Sequence, residues 1–358
     1  MSTKKAKINF KPKQSTKKLI KGLKDREQYI IKNRYGLENP EKRTLESIGQ
    51  EYGITRERVR QIQGAALNAI KRSKSYEEAR EIFEEIENLI HELGGIVAEH
   101  HFLSYLSDDE VTKNHIHFHL VIGPRFKKHK EDDHFHNRWS VNGEIAEKVH
   151  DALKKLHKNI SEEELLAEEE MILRFLDAVD GVEDGKIDDE VAKNFLKISK
   201  KIAKNPLGDW GLAHSKNISL RGIRDYAYLI MKKNGSPMHF REVAEAITKT
   251  FGKKAHSATT HNELIKDDRF VLVGRGMYGL REWGYREGVV KDVIAQIICE
   301  KGPLTKAEII DAVLKERYLK ENTIIVNISN KEYFKKDGEG KYDVTPKIRK
   351  KFCKKGKK

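Results

Sequence analysis

Arg56, Glu57, Arg60 and Gln61 lie within six residues of one another and share one face of a helical pattern. Arginine can pair bidentately with guanine, glutamate can accept from the cytosine amino group, and glutamine can pair with adenine. This face therefore carries the chemistry for reading base edges in a DNA major groove. The opposite face carries Val59, Ile62, Ala66 and Ala69 at three- and four-residue spacing, which predicts that all four face a core. Such readers need a rigid mount, and the preceding residues supply one. Thr44 can cap a first helix with Leu45 and Ile48 on one side, Gly53 provides a tight turn that Ile54 plugs, and Thr55 can cap the second helix. The result is a helix-turn-helix with its base readers at the start of the second helix, where recognition helices meet the bases.

The block REQYIIKNRYGLENPEKRTLESIG and the core TRERVRQI, within about Arg26 to Lys71, resemble region 4 of the sigma-70 family of bacterial RNA polymerase sigma factors. The resemblance implies recognition of a promoter −35 element and seating on the flap of the polymerase β subunit. Carried over by position, Arg56, Glu57, Arg60 and Gln61 would face bases, and Thr55 and Arg58 would lie near phosphates. The segment before Arg26 is too short for the aromatic-rich promoter-melting region of a primary sigma factor. The expectation is a chain that does not open promoters by itself.

Charged residues make up 35% and hydrophobic residues 38% of 358, a lean supply of core that favours several small modules over one large one. A net charge of +14 favours anionic partners, either nucleic acid or an acidic membrane surface. No run approaches the ~20 apolar residues of a membrane span, and the N-terminus lacks the apolar core of a secretory signal. Cys299 and Cys353 are the only cysteines, and the second lies in a lysine-rich tail. The expectation is therefore no structural disulfide and a cytoplasmic protein. Lys4 to Lys24 holds nine lysines, and Lys347 to Lys358 is similarly basic. These ends (1–24 and 347–358) read as disordered tails, either sequence-blind phosphate tethers or solubilising segments.

Between the tails, 25–75 is the helix-turn-helix, and 219–285 and 286–346 share one pattern. Each has an apolar helix, a Gly-Pro turn (Gly235 to Pro237; Gly302 and Pro303), an amphipathic helix, a Thr-led third helix and a hairpin, which is the order of a winged helix. The first copy, through Pro237, His239, Phe240, Glu242, Val243, Phe270, Gly276, Tyr278, Leu280 and Trp283, resembles the HARE-HTH family. That resemblance implies DNA binding or attachment to transcription machinery, not catalysis. Phe270, Tyr278 and Trp283 read as core, and Lys266, Arg269 and Arg275 as candidate phosphate contacts. Residues 76–143 suggest a divergent winged helix, with strands at Arg125–His129 and Phe135–Val141. Residues 144–218 form an acidic, mostly helical region, where DWGLA at Asp209–Ala213 echoes the hairpin ends of the later modules.

His115, His117 and His119 alternate, but no cysteines stand nearby to complete a zinc set, so surface or wing positions are expected and no metal. GRGMYG at Gly274–Gly279 matches a dinucleotide fingerprint in letters only, because a strand rather than a helix follows it. DGVEDGKIDDE at Asp180–Glu190 lacks calcium ligands at Val182 and Val191. No nucleophile–base pattern, P-loop or carboxylate pair stands out, so neither an enzyme nor a cofactor is expected.

The fold class expected is mainly α with small β-hairpins: a helix-turn-helix followed by tandem winged-helix modules. The function expected is sequence-specific binding of double-stranded DNA by a sigma-like transcription factor that associates with the RNA polymerase core through the β flap. Three alternatives stand beside it: a polymerase-docking regulator that competes with a true sigma factor, a chromosome-associated protein, and the DNA-reading accessory of an enzyme.

Overall fold

A computed structural model of the chain describes residues 5–179, 187–286 and 288–353. It divides into two compact units, Met1–Ile218 and Ser219–Lys358. The fold is mainly helical, with small antiparallel sheets.

The first unit begins with α1 (Pro12–Ile20), α2 (Asp25–Tyr35), α3 (Leu45–Glu51) and α4 (Arg56–Lys71). Ile30, Ile48 and Val59 are fully buried where α2, α3 and α4 meet, with Leu45, Ile54 and Ile62 packed around them. Further along α4, Ala66 and Ile70 join Leu19, Ile20, Ile31 and Tyr35 in a second cluster. Ala69, expected in the core, is exposed, and Ile70 is buried instead. About three turns on from Val59 the helix brings residue 70 nearly back into line, while residue 69 has rotated to the edge of the stripe.

The basic N-terminal stretch is not a disordered tail over its described part. Proline opens α1, and Ser15, Thr16, Leu19 and Ile20 are buried. The Ser15 hydroxyl lies 2.8 Å from His119 Nε2, 104 residues away. An amphipathic pattern was present among the lysines, and the surface that receives it comes from a distant helix.

There follow α5 (Lys74–Glu78), α6 (Arg80–Glu92), β1 (Ile96–Ala98), α7 (Glu99–Leu106), α8 (Glu110–Ile122), β2 (Lys127–His129) and β3 (Arg138–Ser140). The strands form one antiparallel sheet ordered β1-β3-β2. Helix, strand, two helices and a hairpin is winged-helix order. The expectation of surface or wing histidines is overturned here, since His115, His117 and His119 lie in α8 and all three are buried. α8 is apolar nearly all round because α1, α2 and α7 all pack on it.

The same order recurs in α9 (Gly143–Asn159), α10 (Glu168–Ala178), α11 (Asp189–Leu196) and the hairpin of β4 (Ile202–Lys204) with β5 (Trp210–Leu212). Leu166, between α9 and α10, bridges to Trp210 and so occupies the place of the missing first strand. Their common core includes Ala146, Val149, Leu153, Phe175, Phe195 and Trp210. Most of the Asp180–Glu190 loop lies outside the described residues.

The second unit starts with α12 (Ile223–Asn234), β6 (Met238–His239), α13 (Phe240–Phe251), α14 (Ser257–Lys266), β7 (Phe270–Gly274) and β8 (Met277–Leu280). Its sheet order is β6-β8-β7. Gly274 and Gly279 sit in the two strands and Gly276, at φ +72°, turns between them, so GRGMYG is a hairpin. Next come α15 (Val290–Lys301), α16 (Lys306–Glu316), α17 (Glu321–Ile328), the hairpin of β9 (Phe334–Lys336) with β10 (Tyr342–Val344), and α18 (Pro346–Phe352). The basic C-terminal stretch is thus also folded over its described part: Ile348 is buried and Cys353 is disulfide-bonded to Cys299. This corrects the expectation of unpaired cysteines. α18 folds back onto α15 and brings together two thiols separated by 54 positions in the chain.

Candidate DNA-reading surface

The surface is built by local caps and one close approach. Thr44 Oγ1 accepts from Ser47 N at 3.0 Å, and Thr55 Oγ1 accepts from Arg58 N at 3.2 Å, so both helices of the motif start on side-chain caps. Gly53 takes φ +62°, which a side chain would resist. Gly49 is equally constrained, because a Cβ there would lie 2.6 Å from the Ile54 carbonyl oxygen. The turn can therefore pass directly over α3 and aim the first turn of α4 outward.

Arg56, Glu57, Arg58, Arg60 and Gln61 are all exposed on that first stretch of α4. They interact with one another. Arg60 donates from Nε and Nη2 to the two Glu57 oxygens at 2.8 and 2.6 Å, and Arg58 Nη1 donates to Gln61 Oε1 at 3.2 Å. The Arg60 hydrogen bond holds the Glu57 carboxyl below its ordinary pKa and raises that of Arg60. Exposed pairs of this kind are weak and exchange readily for other partners. The row thus holds its charges in position without committing them.

A clamp with no local signature in the sequence fixes α3 to α2. Arg43 Nη1 bonds the Tyr29 hydroxyl at 3.1 Å and pairs with Glu51, and its Nη2 donates to Ser47 Oγ at 3.0 Å. The Tyr29 hydroxyl donates to the same Glu51. Hydrogen bonds from Tyr29 and then Arg43 lower the Glu51 pKa. Gln63 Nε2 donates to the Tyr35 hydroxyl at 2.9 Å and ties α4 to α2.

In the second unit, Lys266 at the end of α14 and Arg275 in the β7–β8 turn are exposed. Arg269, expected as a phosphate contact, is held inside the fold. Its Nη2 lies 2.8 Å from both Asp225 and Asp267, and the guanidinium stacks 5.1 Å from the Tyr228 ring centre. With two carboxylates on it, Arg269 ties the base of the wing to α12 and has little charge left for an outside anion. Among the described residues no group of histidines, cysteines or acids is arranged to hold a metal ion. No described helix is long and apolar enough to cross a membrane.

Residues 19–72, which hold this surface, match the family "Sigma-70, region 4". The chain carries a sigma-70 region 4 module. The match starts inside α1, so the packed end of that helix belongs with the module. Residues 223–283 match the HARE-HTH family, a "restriction endonuclease HTH domain" by its description. Both are DNA-binding helix-turn-helix types. Over 54 residues the chain is 52% identical to the RNA polymerase principal sigma factor HrdD of Streptomyces griseus, covering 15% of this chain and 16% of that protein. Over 72 residues it is 33% identical to the RNA polymerase sigma factor SigA of Listeria monocytogenes, covering 20% and 19%. SigA of Listeria innocua matches to the same extent. The chain thus spans less than a fifth of the length of these curated relatives.

Proposed function

We propose that this protein is a sigma-like transcription factor of the cytoplasm that reads a −35-like element of double-stranded DNA through α4 and associates with RNA polymerase. The observation that carries this reading is the exposed row Arg56, Glu57, Arg60 and Gln61 at the capped start of α4, inside the region 4 match. Thr55 and Arg58 flank that row on the phosphate side. Phosphate contacts set the register of the helix and the row selects sequence. Lys266 and Arg275 add sequence-blind contacts from the HARE-HTH module. The matched modules are binding modules, and the activity proposed is equilibrium binding without catalysis.

One observation favours a second reading, a regulator that docks on the polymerase and displaces a true sigma factor. α17, the third helix of the last module, carries no lysine or arginine and exposes Val326, a surface suited to protein better than to phosphate. Co-purification with core RNA polymerase, with and without a competing primary sigma factor, tests both readings. Competitive binding together with selection of a defined duplex sequence supports the sigma-like factor. Competitive binding that survives neutralisation of the α4 charges, with no duplex selection, supports the docking regulator. Duplex selection without polymerase binding leaves a stand-alone DNA-binding factor.

A further inference from the structure

The lysine-rich first helix leads to a second site. A cavity of about 500 Å³ opens between α1, α2 and α8. Lys13, Lys17 and Lys21 recur at four-residue spacing along α1 and line one wall, with Lys32 of α2 facing them. Lys32 already pairs with Glu38 at 2.8 Å, whereas Lys13, Lys17 and Lys21 make no ion pair among the described residues. Ile20 and Leu37, both buried, give the cavity an apolar floor.

His115 provides the second, independent observation. It lines the same cavity and is only 2% exposed, yet neither ring nitrogen has a hydrogen-bond partner. Buried polar groups left without a partner are uncommon and costly. Burial, then the nearby Lys13 charge, depresses its pKa, so the ring is neutral and has both a donor and an acceptor to offer.

We propose that this cavity binds a nucleoside polyphosphate, with the phosphates on Lys13, Lys17 and Lys21, the base against Ile20 and Leu37, and His115 completing a polar contact. Three uncommitted cations on one wall match a chain of phosphates, and a flat heterocycle fits an apolar floor. The volume lies within the range of small-ligand pockets, about 300–1,000 Å³. A duplex backbone would meet protruding side chains on an open surface, whereas here the cations surround a recess with a buried histidine beneath. The site shares no residue with the α4 row, so it stands or falls independently of the promoter reading.

Isothermal titration calorimetry of the full chain with adenosine triphosphate, pyrophosphate and adenosine, paired with NMR of the His115 ring protons, is the test. Saturable triphosphate binding is expected, with pyrophosphate weaker and adenosine weaker still. The His115 resonances should shift on saturation. The double variant K17Q/K21Q, changed only at exposed positions, should keep its melting temperature and bind at least about tenfold more weakly. No binding, pyrophosphate binding as tight as the triphosphate, an unaffected double variant or unmoved His115 resonances would each overturn the proposal. Displacement of the nucleotide by a scrambled duplex, with duplex affinity falling equally in the variant, would reassign these lysines to the DNA backbone and overturn it too.

Discussion

α4 and α8 occupy the same place in two successive modules, the last helix of a helix-turn-helix, yet they have opposite surroundings. α4 buries one stripe and exposes a charged row. α8 buries eight of its residues, including three histidines, under α1, α2 and α7. A third helix becomes a DNA reader only where the rest of the chain leaves it uncovered. Here the first module covers the second, so this unit exposes α4 while α8 acts as its internal support. Topology alone would have given both helices the same role.

The largest way to break this contrast is to damage the support. Phe118→Ala in α8 should cost about 3–5 kcal/mol, as expected for truncating a fully buried aromatic, and lower the denaturant midpoint of the first unit. A cost near zero would show that α8 is not packed as described.

Acid should act on the same helix. Burial lowers the His119 pKa to about 4, so the folded state favours the neutral ring. A folded value below the unfolded one gives a contribution that is complete above about pH 6.5 and fades as pH falls towards about 4. Burial would raise Glu99, but hydrogen bonds from His117 and Lys128 outweigh it and hold the carboxyl at about 2. Its contribution is present above the ordinary carboxylate range and disappears as pH falls towards about 2. Denaturation across pH should therefore show loss in two stages, and His119→Gln should remove much of the upper one. A flat profile from pH 7 to 4 would contradict the buried histidine.

At the exposed helix the effects should fall on selectivity and leave stability nearly unchanged. Arg60→Ala should relax preference at a single base pair by about 10- to 100-fold in a randomised-duplex selection. An unchanged profile would remove Arg60 from the readers. Thr55→Ala should have the smallest effect, about 1 kcal/mol of stability from the lost cap and a uniform weakening across sequences. A change in base preference would instead make Thr55 a reader.

The α4 row, both caps and the Gly53 turn were legible in the sequence because each depends on residues within a few positions of one another. The hairpins at Phe270–Leu280 and Phe334–Val344 were legible for the same reason. Ala69 was misplaced by a local ambiguity, since three- and four-residue steps continue equally well to 69 or 70 until the helix phase is followed over three turns.

Lysine spacing, the histidine alternation and the two cysteines were all visible, but their meaning depended on partners far along the chain. Ser15 meets His119 across 104 residues, Arg269 meets Asp225 across 44, and Cys299 meets Cys353 across 54. By itself the sequence determined the modules, their order and the chemistry that α4 displays, because helix phase, capping and turn geometry are short-range. Only the tertiary structure decided which basic segments fold, which third helix is covered and which arginine is already paired. Those outcomes follow from burial and charge pairing between surfaces that local pattern does not relate.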